Sequence, residues 1–126
     1  MLTNHFARIL SWLCIVAIIV LSLLPGSLRP HLFENGWIEH VLAYAGTGFL
    51  LAISYHALHT RLLFLVGLGV LSCLFEIAQI WIPDRHPQVI DAVASTAGAA
   101  IGLLVGAAAV SILKRGEGTR AKVYVR

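Results

Sequence analysis

Between Glu76 and Asp91 the chain gathers a carboxylate, an amide, a guanidinium, an imidazole and a second carboxylate around one short connection. Glu76 lies inside a long apolar run, Leu62 to Ile82, with Gln79 one turn further on. Pro83-Asp84-Arg85-His86-Pro87 follows, and Asp91 opens the next apolar run. A carboxylate at membrane depth costs on the order of 3 kcal/mol by insertion scales, so it is kept where it faces other helices or a wet cavity. Acid/base work, anion binding or a structural ion pair are the chemistries such a group supports.

Each polar residue carries a functional and a plainer reading. Glu76 and Gln79 share a helical face, and Glu76 either serves a site or pairs with Arg85 to fix the bundle. Arg85 pairs internally with Glu76 or Asp91, or its planar fork holds a phosphate or carboxylate. Asp91 and Ser95 form an i, i+4 pair, and Asp91 near a helix start also complements the macrodipole. His40 and Tyr44 are a second i, i+4 pair, read either as part of the cluster or as a solvated histidine and an aromatic-belt tyrosine. Trp37 and Trp81 fit that belt, and His56, His59 and Arg61 read as an interfacial patch. The expected polar cluster is therefore His40, Tyr44, Glu76, Gln79, Arg85, Asp91 and Ser95.

No HExxH, paired-histidine or Cys–His spacing is present, so a metal on His40, Glu76, Asp91 and His86 would rest on proximity alone and ranks below the other readings, and no metal site and no cofactor are expected. Walker, GxGxxG and G-x-S-x-G patterns are missing too. Cys14 and Cys73 lie in apolar runs without a CxxC neighbour and read as two small buried hydrophobes.

The elements that must position these groups follow from composition. The 126 residues are 59% hydrophobic and 12% charged, with mean hydropathy +0.87, against about 25% charged residues in an ordinary soluble domain. Four runs reach bilayer length, at about 6–24, 38–56, 62–82 and 89–113. They predict an all-α integral membrane four-helix bundle in one domain, 1–126. Arg8 before an apolar stretch gives the first run the look of a leader. Its length and the absence of an A-x-A-like pair favour a retained helix.

With the N-terminus inside, seven of the nine Lys and Arg residues are cytoplasmic, and only Arg29 and Arg85 lie outside. The positive-inside rule then predicts an N-in/C-in protein whose polar cluster sits at the outer face. The net charge of +3 comes largely from Lys114, Arg115, Arg120, Lys122 and Arg126. This basic, Gly-containing segment, flexible from about 116 to 126, reads as a cytoplasmic flank near anionic lipid. Nucleic acid is not an expected partner.

In the fourth run Gly98, Gly102 and Gly106 recur every fourth residue. Such a stripe lets helix backbones approach closely. Gly48 and Ala52 of the second run, or Gly67 and Gly69 of the third, are candidate facing surfaces. Leu103 falls on a different face, where truncation is expected to matter less.

Phe75-Glu76-Ile77-Ala78-Gln79, Pro83-Asp84-Arg85, Asp91-Ala92-Val93 and Gly98 with Gly102 resemble the VanZ-like family, whose hallmark is an F/I-E-x-x-Q helix, a P-x-R turn and a D-x-x-x-N-x-x-G helix. His40-Val41-Leu42-Ala43-Tyr44 with Gly48 looks like that family's H-F-x-x-Y-x-x-x-G element. The resemblance covers about residues 36–106. Two positions depart from it: Trp37 stands where the family usually has Lys, and Ser95 where it usually has Asn. The resemblance implies a small integral protein of the bacterial cytoplasmic (inner) membrane. The founding member is associated with resistance to teicoplanin, which acts on lipid-linked peptidoglycan precursor, but a specific phenotype does not travel with a fold.

Three function classes follow. The first is a membrane protein that binds or modulates an envelope lipid or lipid-linked cell-wall precursor at its outer face. The second is a membrane-embedded enzyme on a lipid-linked substrate, with Glu76 or Asp91 as acid/base. The third is a structural subunit that meets a membrane-protein partner, or a second copy, through its glycine stripe.

Overall fold

Nothing in lipid can satisfy the backbone N–H and C=O groups of these apolar runs except the runs themselves, so each closes its own helical ladder. In the computed structural model the backbone is described for residues 2–30 and 32–124, and side chains for 5–30 and 32–116. Four α-helices account for nearly all of it: α1 Leu2–Leu23, α2 Gly36–Ser54, α3 Leu58–Ala78 and α4 Val89–Tyr124. No strand occurs among the described residues. Every one of the four contains a stretch long and apolar enough to cross a membrane.

Pro25 and the 3-10 turn Gly26–Leu28 follow α1, and a second 3-10 turn, Gln79–Trp81, tightens the end of α3. Two of the boundaries that differ from the reading of the sequence bring charged residues into helices. Helix α3 starts at Leu58, so His59, Thr60 and Arg61 form its first turn rather than a connection. Helix α4 runs through Lys114 and Arg115 to Tyr124 instead of ending near Leu113, because Lys, Arg, Glu and Ala are good helix formers. The side chains of the basic segment beyond Gly116 lie outside the described residues.

Helices α2 and α4 share the tightest interface. A Cβ placed on Gly98 would lie 2.5 Å from the Val41 carbonyl oxygen, and one on Gly102 2.0 Å from that of Ala45. One on Gly106 would lie 2.7 Å from Ala52 Cβ. From the other side, Gly48 meets the Ala99 carbonyl at 2.6 Å by the same measure. The facing surface is thus α2, with Gly48 and Ala52. Gly67 of α3 has nothing within 4 Å, and Gly69 has only ordinary contact with Thr96. Helix α1 packs on α2, and α3 on α4.

The buried cluster joins Ile15, Ile18, Tyr44, Leu51, Ala52, Leu68, Phe75, Ala99 and Leu103. Leu103 corrects the expectation made for it: α4 touches both α2 and α3, so two of its faces are inside. Leu104, at 70% exposure, points outward with Phe6, Leu63 and Val66. Cys73 is also exposed and Cys14 only half-buried, because both sit on outward-turned parts of their helices. Buried hydroxyls return to their own helices: Ser11 donates to the Ala7 carbonyl, Thr47 to Ala43 and Ser54 to Leu50. That is the usual way to satisfy Ser and Thr where water is scarce.

Candidate functional site

At the end of the bundle where α1 and α3 finish and α2 and α4 begin, the polar residues divide into two groups. The first is built from three helices. His40, in the second turn of α2, places Nε2 3.6 Å from Oδ2 of Asp91, in the first turn of α4. Its other ring nitrogen, Nδ1, is 3.2 Å from Ser95 Oγ. Glu76, near the end of α3, accepts a 2.8 Å hydrogen bond from the Gln88 backbone N–H through Oε2. Ligand atoms of His40, Glu76 and Asp91 lie within 4.8 Å of one another. Tyr44 is buried, one turn below His40 and beside Ser95.

The second group serves the end of α1. Arg85 donates through Nε to the Leu24 carbonyl at 3.0 Å and through Nη2 to the carbonyls of Leu21 and Ser22. Gln79, almost fully buried, donates to the Ser22 carbonyl at 3.1 Å. The last carbonyls of a helix have no partners of their own, and these two side chains supply them. Glu76 and Arg85, expected as an ion pair, therefore do not hydrogen-bond. The guanidinium is aimed at α1, whose carbonyl end offers a richer set of acceptors than one carboxylate. Burial lowers the pKa of Arg85 from its ordinary value, and the nearby Arg29 guanidinium lowers it further.

Asp84 takes a positive φ of 57°, a conformation that aspartate tolerates better than most residues. The Gly26 N–H bonds the Pro83 carbonyl at 3.1 Å. A Cβ on Gly26 would lie 1.9 Å from the Asp84 carbonyl oxygen, so only glycine permits this approach. The connection after α1 and the one before α4 are thereby docked together over the site.

Two cavities open here. A cleft of about 300 Å³ lies between α1 and α2, lined by Ile18, Leu21, Leu42, Ala43 and Tyr44 along the helices and, toward the end of the bundle, by Arg29, Glu39, His40 and Arg85 beside Pro30, Leu32 and Phe33. A smaller space of about 170 Å³ lies between Gly26, Arg29, Gln79, Asp84, Arg85, Gln88 and Asp91. Arg29 and Arg85 border both.

The chain's identity can be read at this point. The family model for VanZ/LLP1 matches residues 11–110. The chain belongs to the VanZ/LLP1 family. The match covers all of α2 and α3 and most of α1 and α4, with the whole His40–Ser95 cluster and the glycine stripe through Gly106. No curated protein and no solved structure matches the chain. With four apolar helices and this family, the protein is a multi-pass membrane protein.

One part of this VanZ/LLP1 site has no counterpart in the reading of the sequence. Arg29 and Glu39 form a 2.8 Å ion pair. Glu39 Oε1 also accepts from the backbone N–H groups of Leu32 at 2.7 Å and Phe33 at 3.2 Å, pinning the connection between α1 and α2. The only hint is that Arg29 lies ten residues before a carboxylate in the first turn of the next helix. At the opposite end, Arg61 donates to the Tyr55 carbonyl at 2.9 Å and to that of Ala52 at 2.7 Å, closing the end of α2 as Arg85 closes that of α1.

Proposed function

We propose that this VanZ/LLP1 protein holds the anionic head group of an envelope lipid or lipid-linked cell-wall precursor at the Arg29–Arg85 end of the bundle, in a bacterial inner membrane. The observation that carries the reading is the cleft between α1 and α2. Its lining is largely apolar, and toward the end of the bundle it is bordered by two guanidiniums beside the Glu39 carboxylate, a shape and polarity that suit an amphiphile. Each guanidinium has more N–H donors than its present partners use. An anion between them also relieves the repulsion that Arg29 exerts on Arg85.

The orientation fits an envelope ligand. Arg8, which reaches the Ser54 carbonyl, lies with Arg61, Lys114 and Arg115 at the end opposite Arg29 and Arg85. The positive-inside rule puts the richer end in the cytoplasm and the cleft mouth outside. A His86→Cys variant lacking Cys14 and Cys73 is expected to react with an impermeant maleimide in intact cells. Reaction only after permeabilisation overturns the orientation.

Binding is read by native mass spectrometry of the purified protein with phosphatidylglycerol, a polyprenyl phosphate and, as zwitterionic control, phosphatidylethanolamine. A charge-assisted contact is worth about 1.5–3 kcal/mol, so Arg29→Gln should weaken retention of the anionic lipids by about tenfold or more. Ala43→Phe, which fills the cleft, should abolish it. Equal retention by the native protein and both variants overturns the reading.

The proximity of His40, Glu76 and Asp91 favours a second reading, catalysis on the bound lipid with a carboxylate as acid/base. It requires a mass change in the added lipid that Glu76→Gln abolishes. A partner subunit docking through the glycine stripe has no support, since α2 occupies that stripe.

A further inference from the structure

We propose that His40, Glu76 and Asp91 form a binding site for one divalent transition-metal cation, of which Zn²⁺ is the probe. The three come from α2, α3 and α4, with no ligand spacing in the sequence, and the fold alone brings their donor atoms within 4.8 Å. One imidazole nitrogen and two carboxylates suit Zn²⁺ or Mn²⁺ better than the all-oxygen preference of Ca²⁺ and Mg²⁺.

The distances suit a metal better than they suit hydrogen bonds. His40 Nε2 and Asp91 Oδ2 are 3.6 Å apart, beyond a good N–H···O bond. Ligands at about 2.0–2.1 Å around a tetrahedral cation sit about 3.4 Å from each other. All three donor atoms lie within 4.8 Å of one another, so a side-chain adjustment of about 1.4 Å at most brings any pair to that spacing.

Charge gives an independent argument. Two carboxylates this close repel each other, and the guanidiniums nearby face other partners. Arg29 is on Glu39, and Arg85 is on the carbonyls of α1. Neither hydrogen-bonds Glu76 or Asp91 among the described residues. A cation of charge two neutralises the pair, and neutral imidazole completes the set.

The surroundings hold the ligands as metal sites do. Ser95, fully buried, engages His40 Nδ1 and leaves Nε2 as the atom facing the carboxylates. A second partner on the far ring nitrogen is the common device for orienting a metal-bound histidine. The Gln88 N–H holds Oε2 of Glu76 in the same way. Three protein ligands leave a further coordination position for water or a ligand oxygen. A cation here adds a third positive charge beside Arg29 and Arg85, although the site requires no lipid.

The test uses untagged protein of residues 1–126 in detergent, stripped with a chelator and then given Zn²⁺. Gel filtration followed by metal analysis is expected to find one Zn²⁺ per chain. Glu76→Gln, Asp91→Asn and His40→Ala should each lose it, and His59→Ala, at the other end of the bundle, should keep it. Ser95→Ala should weaken binding by about tenfold or more, the usual effect of removing an outer partner. Zn²⁺ should raise the melting temperature of the native protein, and Co²⁺ in its place should give the visible bands of a low-coordinate nitrogen–oxygen site, readings that need no variant. Substoichiometric Zn²⁺ in the native protein, or full Zn²⁺ in the His40→Ala/Glu76→Gln/Asp91→Asn triple variant, overturns the site. Lipid retention measured in chelator is a separate readout, so loss of either result leaves the other standing.

Discussion

Gly102→Leu is expected to leave no folded bundle in mild detergent. Adding even a Cβ at this position sets carbon 2.0 Å from the Ala45 carbonyl oxygen and 2.8 Å from the Phe49 nitrogen. Both are backbone atoms of α2, which no rotamer change can move. Overpacking a soluble core costs about 1–3 kcal/mol when side chains can yield. Here two helices must separate, and the contacts at Gly48, Gly98 and Gly106 go with them. Without a hydrophobic drive between helices in lipid, those contacts carry the association. A graded series checks the cause. Gly67→Ala, which meets nothing within 4 Å, should be neutral or stabilise by up to about 1 kcal/mol. Gly106→Ala should lower the melting temperature, and Gly102→Ala should lower it more. A Gly102→Leu protein that melts with the native one means that the α2–α4 interface is not the one described.

That interface was half-legible. The period of Gly98, Gly102 and Gly106 announces close packing, but both α2 and α3 offered small residues to receive it. Only the folded chain shows that Gly48 and Ala52 do so while Gly67 faces outward. Leu103 was misread for a related reason. A stripe predicts one inward face, whereas a helix wedged between two neighbours has two. The four spans themselves were plain, because nearly twenty apolar residues in a row admit few other fates.

Arg85→Ala is the second large effect expected, a loss of about 2–3 kcal/mol or more. Its guanidinium serves the carbonyls of Leu21, Ser22 and Leu24. Hydrogen bonds to charged groups contribute about 1.5–3 kcal/mol each, and orphaned acceptors add their desolvation. Arg85→Lys should recover little, since a point charge cannot span the arc that a planar fork spans. The partner is what a double-mutant cycle decides. Glu76→Gln combined with Arg85→Ala should be additive within about 0.5 kcal/mol, as for residues not in contact. Ser22 and Leu24 are reached through their main chain, so no side-chain change there can pair with Arg85. A coupling well above that value restores Glu76 as the counter-charge of Arg85.

This division between Arg85 and Glu76 marks the limit of what the sequence discloses. Charges of opposite sign a short turn apart suggest each other as partners, while a backbone carbonyl has no letter in the sequence. The membership of His40, Glu76, Asp91 and Ser95 in one cluster could be expected from topology. The Arg29–Glu39 pair beside them depends on how the connection between α1 and α2 folds back.

The clasp on α1 also imposes an order on biogenesis. The guanidinium that takes up the last carbonyls of α1 is translated 61 to 64 residues after them, with α2 and α3 emerging in between. Until that residue leaves the ribosome, the nascent first helix has no Arg85 or Gln79 to finish its carbonyl end. The chain therefore crosses the membrane three times before it can lock its own beginning. A truncation after α3 that ends at Trp81 keeps Gln79 for the Ser22 carbonyl but leaves those of Leu21 and Leu24 without the Arg85 guanidinium.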